Sequence, residues 1–115
     1  MMLTETQRIN RFMERAIELS KTSKCRFQHG CVVVSNGQIV GESTNRLVND
    51  QFKNSWRRSH MHAEIAALLD AGQKAIGSTV YVARVTKDGN PAPSEPCKKC
   101  KTALERYKVR NVIWT

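Results

Sequence analysis

The sequence contains no long hydrophobic run. Its longest apolar stretches, Cys31 to Val34 and Ile65 to Leu69, are far too short to cross a bilayer or to form the apolar core of a secretory signal. No membrane partner is therefore expected, and the chain reads as soluble and intracellular. It also lacks internal repeats, low-complexity tracts and any stretch with the composition of a linker. Its 115 residues (1–115) read as a single domain, large enough for one hydrophobic core and too small for two. Acidic residues are scarce: Asp plus Glu number 10 against 19 Lys plus Arg, a formal net charge of +9. Such a surplus attracts phosphate-bearing partners, without separating RNA, DNA or a free nucleotide from a role in solubility alone. Cysteine is limited to Cys25, Cys31, Cys97 and Cys100. Without a signal peptide, a Cys-x-x-Cys pair reads as a metal or redox site rather than half of a disulfide framework, and the cytoplasm is the expected compartment.

What is present sorts into seven elements. Ile9, Phe12, Met13, Ala16 and Ile17 recur at the spacing of one helical face, with Thr4 and Gln7 at capping-box spacing, and this predicts a first helix ending near Ser20. Cys31-Val32-Val33-Val34 and Gln38-Ile39-Val40-Gly41 flank Asn36-Gly37, a hairpin signal because both turn residues tolerate positive φ. A polar, basic loop is expected from Asn45 through Arg58. A second helix follows, with apolar Met61, Ile65, Leu68 and Leu69 and a stop at Gly72. Thr79 to Val85 reads as a strand and Lys87 to Pro91 as a turn. A third helix is expected across Cys97 to Tyr107 from Pro96, and a last strand over Asn111 to Thr115. The order α-β-β-α-β-α-β predicts an α/β fold with a mixed sheet of about four strands and helices on both faces.

The chemistry is concentrated in His62-Ala63-Glu64 and, thirty-odd residues on, Pro96-Cys97-Lys98-Lys99-Cys100. Together they match the H-x-E…P-C-x-x-C pattern of zinc deaminases. Either half alone has a bland explanation in surface chemistry or in a structural or redox pair; jointly, at two predicted helix starts, they read as one site. One imidazole and two thiolates leave tetrahedral zinc with a fourth position for water, which marks a catalytic rather than a closed structural centre. One zinc per chain is expected. Residues two apart lie about 200° apart around a helix, so His62 and Glu64 must meet off the helix end and not on one lateral face. Glu64 is then a proton carrier and not a ligand.

These motifs resemble the cytidine deaminase superfamily, especially its deoxycytidylate and tRNA-adenosine deaminase branches, and the resemblance covers most of the chain. It implies a three-layer cytidine-deaminase-like fold. The segment Gly41-Glu42-Ser43-Thr44-Asn45 resembles the stretch that ends in a substrate-contacting asparagine. By that resemblance Asn45 binds the sugar or base, the Ala63 amide contacts the ring, and the Glu95 carbonyl receives the departing amino group; as a plain turn residue, Asn45 would do none of this. Two departures stand out. The family sheet typically has five strands, whereas this chain reads as about four and ends at Thr115, lacking the last strand and helix. The segment Thr86 to Ser94 is also longer than in tRNA-adenosine deaminases.

Other residues invite weaker readings. Arg57 and Arg58 beside Trp56 form a candidate phosphate and base-stacking group, although charged loop residues are usually only solvated. His60 reads as solvated, and Cys25, His29 and Cys31 do not compose an obvious second tetrahedral cage. The expected function is zinc-dependent hydrolytic deamination at C4 of a cytosine nucleotide or nucleoside, of cytidine or deoxycytidylate type, giving the uracil form and ammonia. Such an enzyme is a hydrolase of C–N bonds in cyclic amidines. Two alternatives stay open: a deaminase of cytosine or adenine in single-stranded DNA or RNA, which the charge would suit, and a non-catalytic zinc-binding nucleic-acid module. A homo-oligomer is expected, because a sheet this small leaves helical faces uncovered.

Overall fold

A computed structural model describes residues 5–49 and 58–115, with side chains from residue 11 to 47 and from 61 onward. Helix α1 (Glu5–Thr22) leads into the hairpin β1 (Gln28–Ser35) and β2 (Gln38–Thr44), whose turn carries Asn36 at φ 52° and Gly37 at φ 74°. The two positive φ values are what the Asn-Gly pair was expected to supply. Next come β3 (Arg46–Asn49), β4 (Arg58–Met61), α2 (Ala63–Ala71), a turn of 3-10 helix (Gly72–Ala75) and β5 (Thr79–Val85). The chain closes with β6 (Pro91–Ala92), α3 (Lys98–Arg106) and β7 (Asn111–Trp114).

The main sheet is mixed, as expected. β1 lies at its centre between antiparallel β2 and β5, and the far side of β5 is shared by two strands. Parallel β7 takes Thr79 to Val82 of β5, and antiparallel β6 takes Arg84 and Val85. The two-residue β6 raises the strand count from the four expected to five; Pro91 and Ala92 carry no strand signal and pair only because a tight turn through Thr86–Gly89–Asn90 returns the chain onto β5. The loop expected from Asn45 through Arg58 also needs correction. Its two ends pair as antiparallel β3 and β4, with Arg46 opposite Met61 and Asn49 opposite Arg58. Leu47-Val48 is too short a β-prone run among polar residues to announce a strand without its partner. Thr4, Trp56 and Arg57 lie outside the described residues, and Arg58 and His60 are described in backbone only.

Alternation along β1 and β5 builds the three layers. Val32, Val34, Tyr81 and Ala83 face α1, where they pack on Phe12 and Ala16, with the Phe12 and Tyr81 ring centroids 5.6 Å apart. Cys31, Val33, Val80 and Val82 face the other way, onto Ala63, Ala67, Leu68 and Ala71 of α2 and Leu104 of α3. Two glycines set the helix distances. A Cβ on Gly30 would run into Ala16 O and Ser20 N of α1, and one on Gly41 would lie 2.6 Å from Ala67 O and 2.7 Å from Ala71 N of α2. The bare backbone at these positions lets each helix settle directly on the sheet. Arg15 ties α1 to β2 through a two-point ion pair with Glu42, at 3.0 and 2.7 Å, which holds the Glu42 carboxyl below the usual carboxylate range.

Candidate metal centre and active site

Helices α2 and α3 begin at one place. His62 is the N-cap of α2 and Cys97 the N-cap of α3, both extended, while Cys100 lies in the first turn of α3. Their carbonyls start the helices, with Ala66 N donating to His62 O at 3.0 Å and Lys101 N to Cys97 O at 2.8 Å. His62 thus stands one residue before the helix expected to contain it, and it is this N-cap position that frees its ring to project off the helix end.

The segment ahead of Cys97 is fastened as well. Ser94, buried, donates from Oγ to Val82 O at 2.9 Å and accepts from Thr115 N at 3.0 Å, and its own amide donates to Thr115 O. Thr115 Oγ1 in turn donates to Ala92 O at 2.6 Å. The end of the last strand therefore braces the approach to the cysteine pair.

The result is a cluster of three donors. His62 Nδ1 lies 3.2 Å from Cys100 Sγ and 3.6 Å from Cys97 Sγ, and all three donor atoms fall within 4.8 Å of one another. Zinc bonds of ordinary length would set tetrahedral N–S edges of about 3.6 Å, so the spacing fits that ion. The chemistry of the set agrees. Burial, and then the nearby Glu64 charge, push the Cys100 thiol far up, a cost that a bound dication reverses by stabilising the thiolate. Glu64, buried in the first turn of α2, lies close enough to Cys100 for its charge to act on the thiol and is outside the donor triangle. His62, Cys97 and Cys100 could therefore coordinate one zinc, and among the described residues no other group of His, Cys, Asp or Glu has this arrangement.

A cavity of about 470 Å³ opens beside this cluster, lined by His62 and Ala63 together with Cys25, His29, Asn45 and Arg84. Arg26 and Phe27 complete the lining. Sequence reasoning missed His29 and Arg84 as lining residues, though a signal was there. His29 has the parity of Cys31 and Val33 in β1, and Arg84 that of Val80 and Val82 in β5, so both polar residues fall on the inward face of strands otherwise apolar there. They are register partners in the β1–β5 pairing. Burial pushes the His29 imidazole below its ordinary value, with the Glu64 charge opposing and the Arg84 charge reinforcing the shift.

Asn45 does reach the cavity, but its amide also builds it. Oδ1 accepts from Ser23 Oγ at 2.6 Å and from His29 N at 3.0 Å, and Nδ2 donates to Phe27 O at 2.6 Å. Of the other expected contacts, Ala63 lines the cavity, whereas the Glu95 side chain is exposed and pairs with Lys101 at 3.0 Å. Cys31 is buried in the core facing α2, and Cys25 lies at the cavity wall.

The family model described as the cytidine and deoxycytidylate deaminase zinc-binding region matches residues 6–115. The chain belongs to this zinc-binding deaminase family. Curated relatives include the diaminohydroxyphosphoribosylamino-pyrimidine deaminases of Buchnera aphidicola subsp. Schizaphis graminum and subsp. Acyrthosiphon pisum, 35% and 36% identical. The similarity covers 89% and 88% of this chain but 63% and 65% of those proteins, so the chain spans less than two thirds of their length. Among solved structures, Acinetobacter baumannii RibD (form 2) superposes with a TM-score of 0.65 and 28% identity, covering 97% of this chain and 29% of that one. The dCMP deaminase of cyanophage S-TIM5, in complex with dCMP and dUMP, gives a TM-score of 0.71 at 22% identity over 99% of this chain and 83% of that one, a likeness of fold. As in such deaminases, the sheet is mixed and carries helices on both faces. No helix among the described residues is long and apolar enough to cross a membrane.

Proposed function

We propose that this deaminase hydrolyses the ring amino group of a pyrimidine that carries a phosphorylated sugar, with cytosine nucleotides as its first substrates and the corresponding nucleosides as weaker ones. The observation that carries the proposal is the convergence of His62, Cys97 and Cys100, with Glu64 buried beside them, next to a cavity of small-molecule size whose wall includes His62 and Ala63. The names of the relatives support the ring and the phosphate: a phosphoribosylamino-pyrimidine is the substrate in two of them, and dCMP and dUMP occupy the phage enzyme.

Zinc, when bound, supplies Lewis acidity and a position at which water becomes a nucleophile near neutral pH. The chain's own residues do the rest. Glu64 carries the two protons of the attacking water in turn, the first to the ring nitrogen and the second to the leaving amine, a role its burial beside Cys100, outside the donor triangle, suits. The Ala63 amide, at the start of α2 where it lines the cavity, contacts the ring, and the Glu95 carbonyl, two residues before Cys97, accepts from the departing amino group. Asn45 has one amide N–H left by count after its bonds to Ser23, His29 and Phe27, and this N–H is assigned to the sugar or base. Arg57 and Arg58, just ahead of His62 in the chain, are further phosphate contacts. Thiols held free for metal binding point to the cytoplasm as the working compartment. Self-association belongs to the same reading, since Leu69 and Ile76 leave apolar surface at the far end of α2.

The test is ammonia release by the zinc-loaded protein with dCMP, CMP, cytidine, the diaminohydroxyphosphoribosylamino-pyrimidine and single-stranded DNA and RNA oligonucleotides. Turnover of a pyrimidine mononucleotide, with binding only weakly dependent on salt because one phosphate is engaged, is the expected result. Turnover confined to oligonucleotides, with a steep salt dependence, would overturn it in favour of a nucleic-acid deaminase.

A further inference from the structure

Strand β5 runs through the middle of the sheet, and its inward face is apolar at Val80 and Val82 before it carries Arg84. A half-buried guanidinium on the core-facing side of a central strand is ordinarily matched by a carboxylate, because removing the charge from water is costly. Among the described residues neither Arg84 nor Arg26 forms an ion pair; the three salt bridges belong to Arg15 and Lys101. Both guanidinium groups instead lie against one ring. Arg84 Cζ is 5.9 Å and Arg26 Cζ 5.6 Å from the centroid of Phe27, a residue 58% exposed at the same cavity wall. A cation within about 6 Å of a ring face is attracted to it while its N–H groups stay available, and a guanidinium so placed suits two-point binding of a phosphate.

The backbone holds this group in register with the metal cluster. Arg84 is the β-sheet partner of His29, the His29 amide donates to Asn45, and His62 and Ala63 line the same cavity. The Arg84 amide is itself held, donating to Thr115 Oγ1 at 3.3 Å, and Thr115 bonds Ser94 just ahead of Cys97. A rigid strand therefore carries the cation, whereas Arg57 and Arg58 precede His62 by only a few residues in the chain.

We propose that Arg84, held over the Phe27 ring and assisted by Arg26, is the group that reads the phosphate monoester of the substrate and makes the enzyme selective for a mononucleotide over its nucleoside. This rests on the deaminase reading above and names its specificity residue.

The experiment pairs turnover with binding. In zinc-loaded protein, Arg84→Gln is expected to lower the ratio of kcat/KM for dCMP to that for deoxycytidine by about 10- to 100-fold, the range for losing a charge-assisted contact. Arg84→Lys keeps the charge without the fork and should recover part of that ratio, and Arg26→Gln should lower it by a smaller factor. Calorimetry with dUMP and deoxyuridine gives a readout independent of catalysis: dUMP should bind the wild-type protein more tightly, and Arg84→Gln should erase most of the difference. A ratio unchanged in Arg84→Gln, or equal affinities of the two products for the wild type, overturns the proposal. A protein that turns over no pyrimidine yet loses dUMP preference in Arg84→Gln keeps the phosphate site and discards the substrate reading. If Arg84→Gln does not fold, Arg84→Lys and Arg26→Gln carry the same comparison, and unchanged ratios in both refute it.

Discussion

Replacing Glu64 by Gln separates catalysis from folding at this centre. Glu64 is 4% exposed in the first turn of α2 and lies beside Cys100 without being one of the three donors. Gln has almost the same volume, so no cavity opens and no buried charge is stranded. The stability change should stay below about 1.5 kcal/mol, the usual limit for a volume-conserving swap, or a few degrees in Tm for a domain of this size. Turnover should behave differently. An amide cannot carry a proton, and losing a positioned general acid–base costs about 10²- to 10⁴-fold, equivalent to about 3 to 5 kcal/mol of barrier. The assays are ammonia release on the best pyrimidine substrate, elemental analysis for zinc and a thermal melt on the same preparation. Activity within about tenfold of wild type, with zinc retained, would refute the role of Glu64; loss of zinc would refute its place outside the metal's ligands.

The remaining predictions concern the metal and the scaffold. Cys100→Ser, or chelation of the wild-type protein, should remove about one zinc per chain and lower Tm, because the metal ties the start of α3 to the start of α2; a metal-free protein melting at the holo temperature would contradict this. Gly41→Ala should destabilise by roughly 1–3 kcal/mol in chemical denaturation, since the new Cβ meets the α2 backbone at 2.6 and 2.7 Å, and an unchanged midpoint would show that α2 can move freely. Arg15→Met should cost at most about 1 kcal/mol at neutral pH, because the ion pair with Glu42 is partly exposed. The Glu42 carboxyl is lowered in the folded state, so its contribution is present above the ordinary glutamate value and is lost as pH falls through the lowered one. The difference between wild type and Arg15→Met should therefore shrink on acidification, and a difference that grew in acid would reverse the assignment.

Local rules account for much of what was legible in the residues alone. Asn36-Gly37 dictated a turn with two positive φ values, the apolar run of β1 marked a strand, and the helical spacing in α1 marked its buried face without knowledge of any partner. His62, Cys97 and Cys100 were legible as a set able to hold zinc because zinc accepts few donor sets and their spacing is distinctive. Only the tertiary structure decided what depends on contacts between distant segments. Pairing of Arg46 with Met61, and of Pro91 with Val85, makes strands at Arg46–Asn49 and Pro91–Ala92 from residues whose own preference is too weak to declare one. Assembly also gives Asn45 its work, as its amide bonds Ser23, Phe27 and His29, from the loop after α1 and the start of β1, 16 to 22 positions away in the chain. The pocket follows the same logic. Arg84 and His29 were visible as polar breaks in apolar strands, but a break in a pattern becomes a wall of a cavity only when sheet pairing sets the two side by side next to His62.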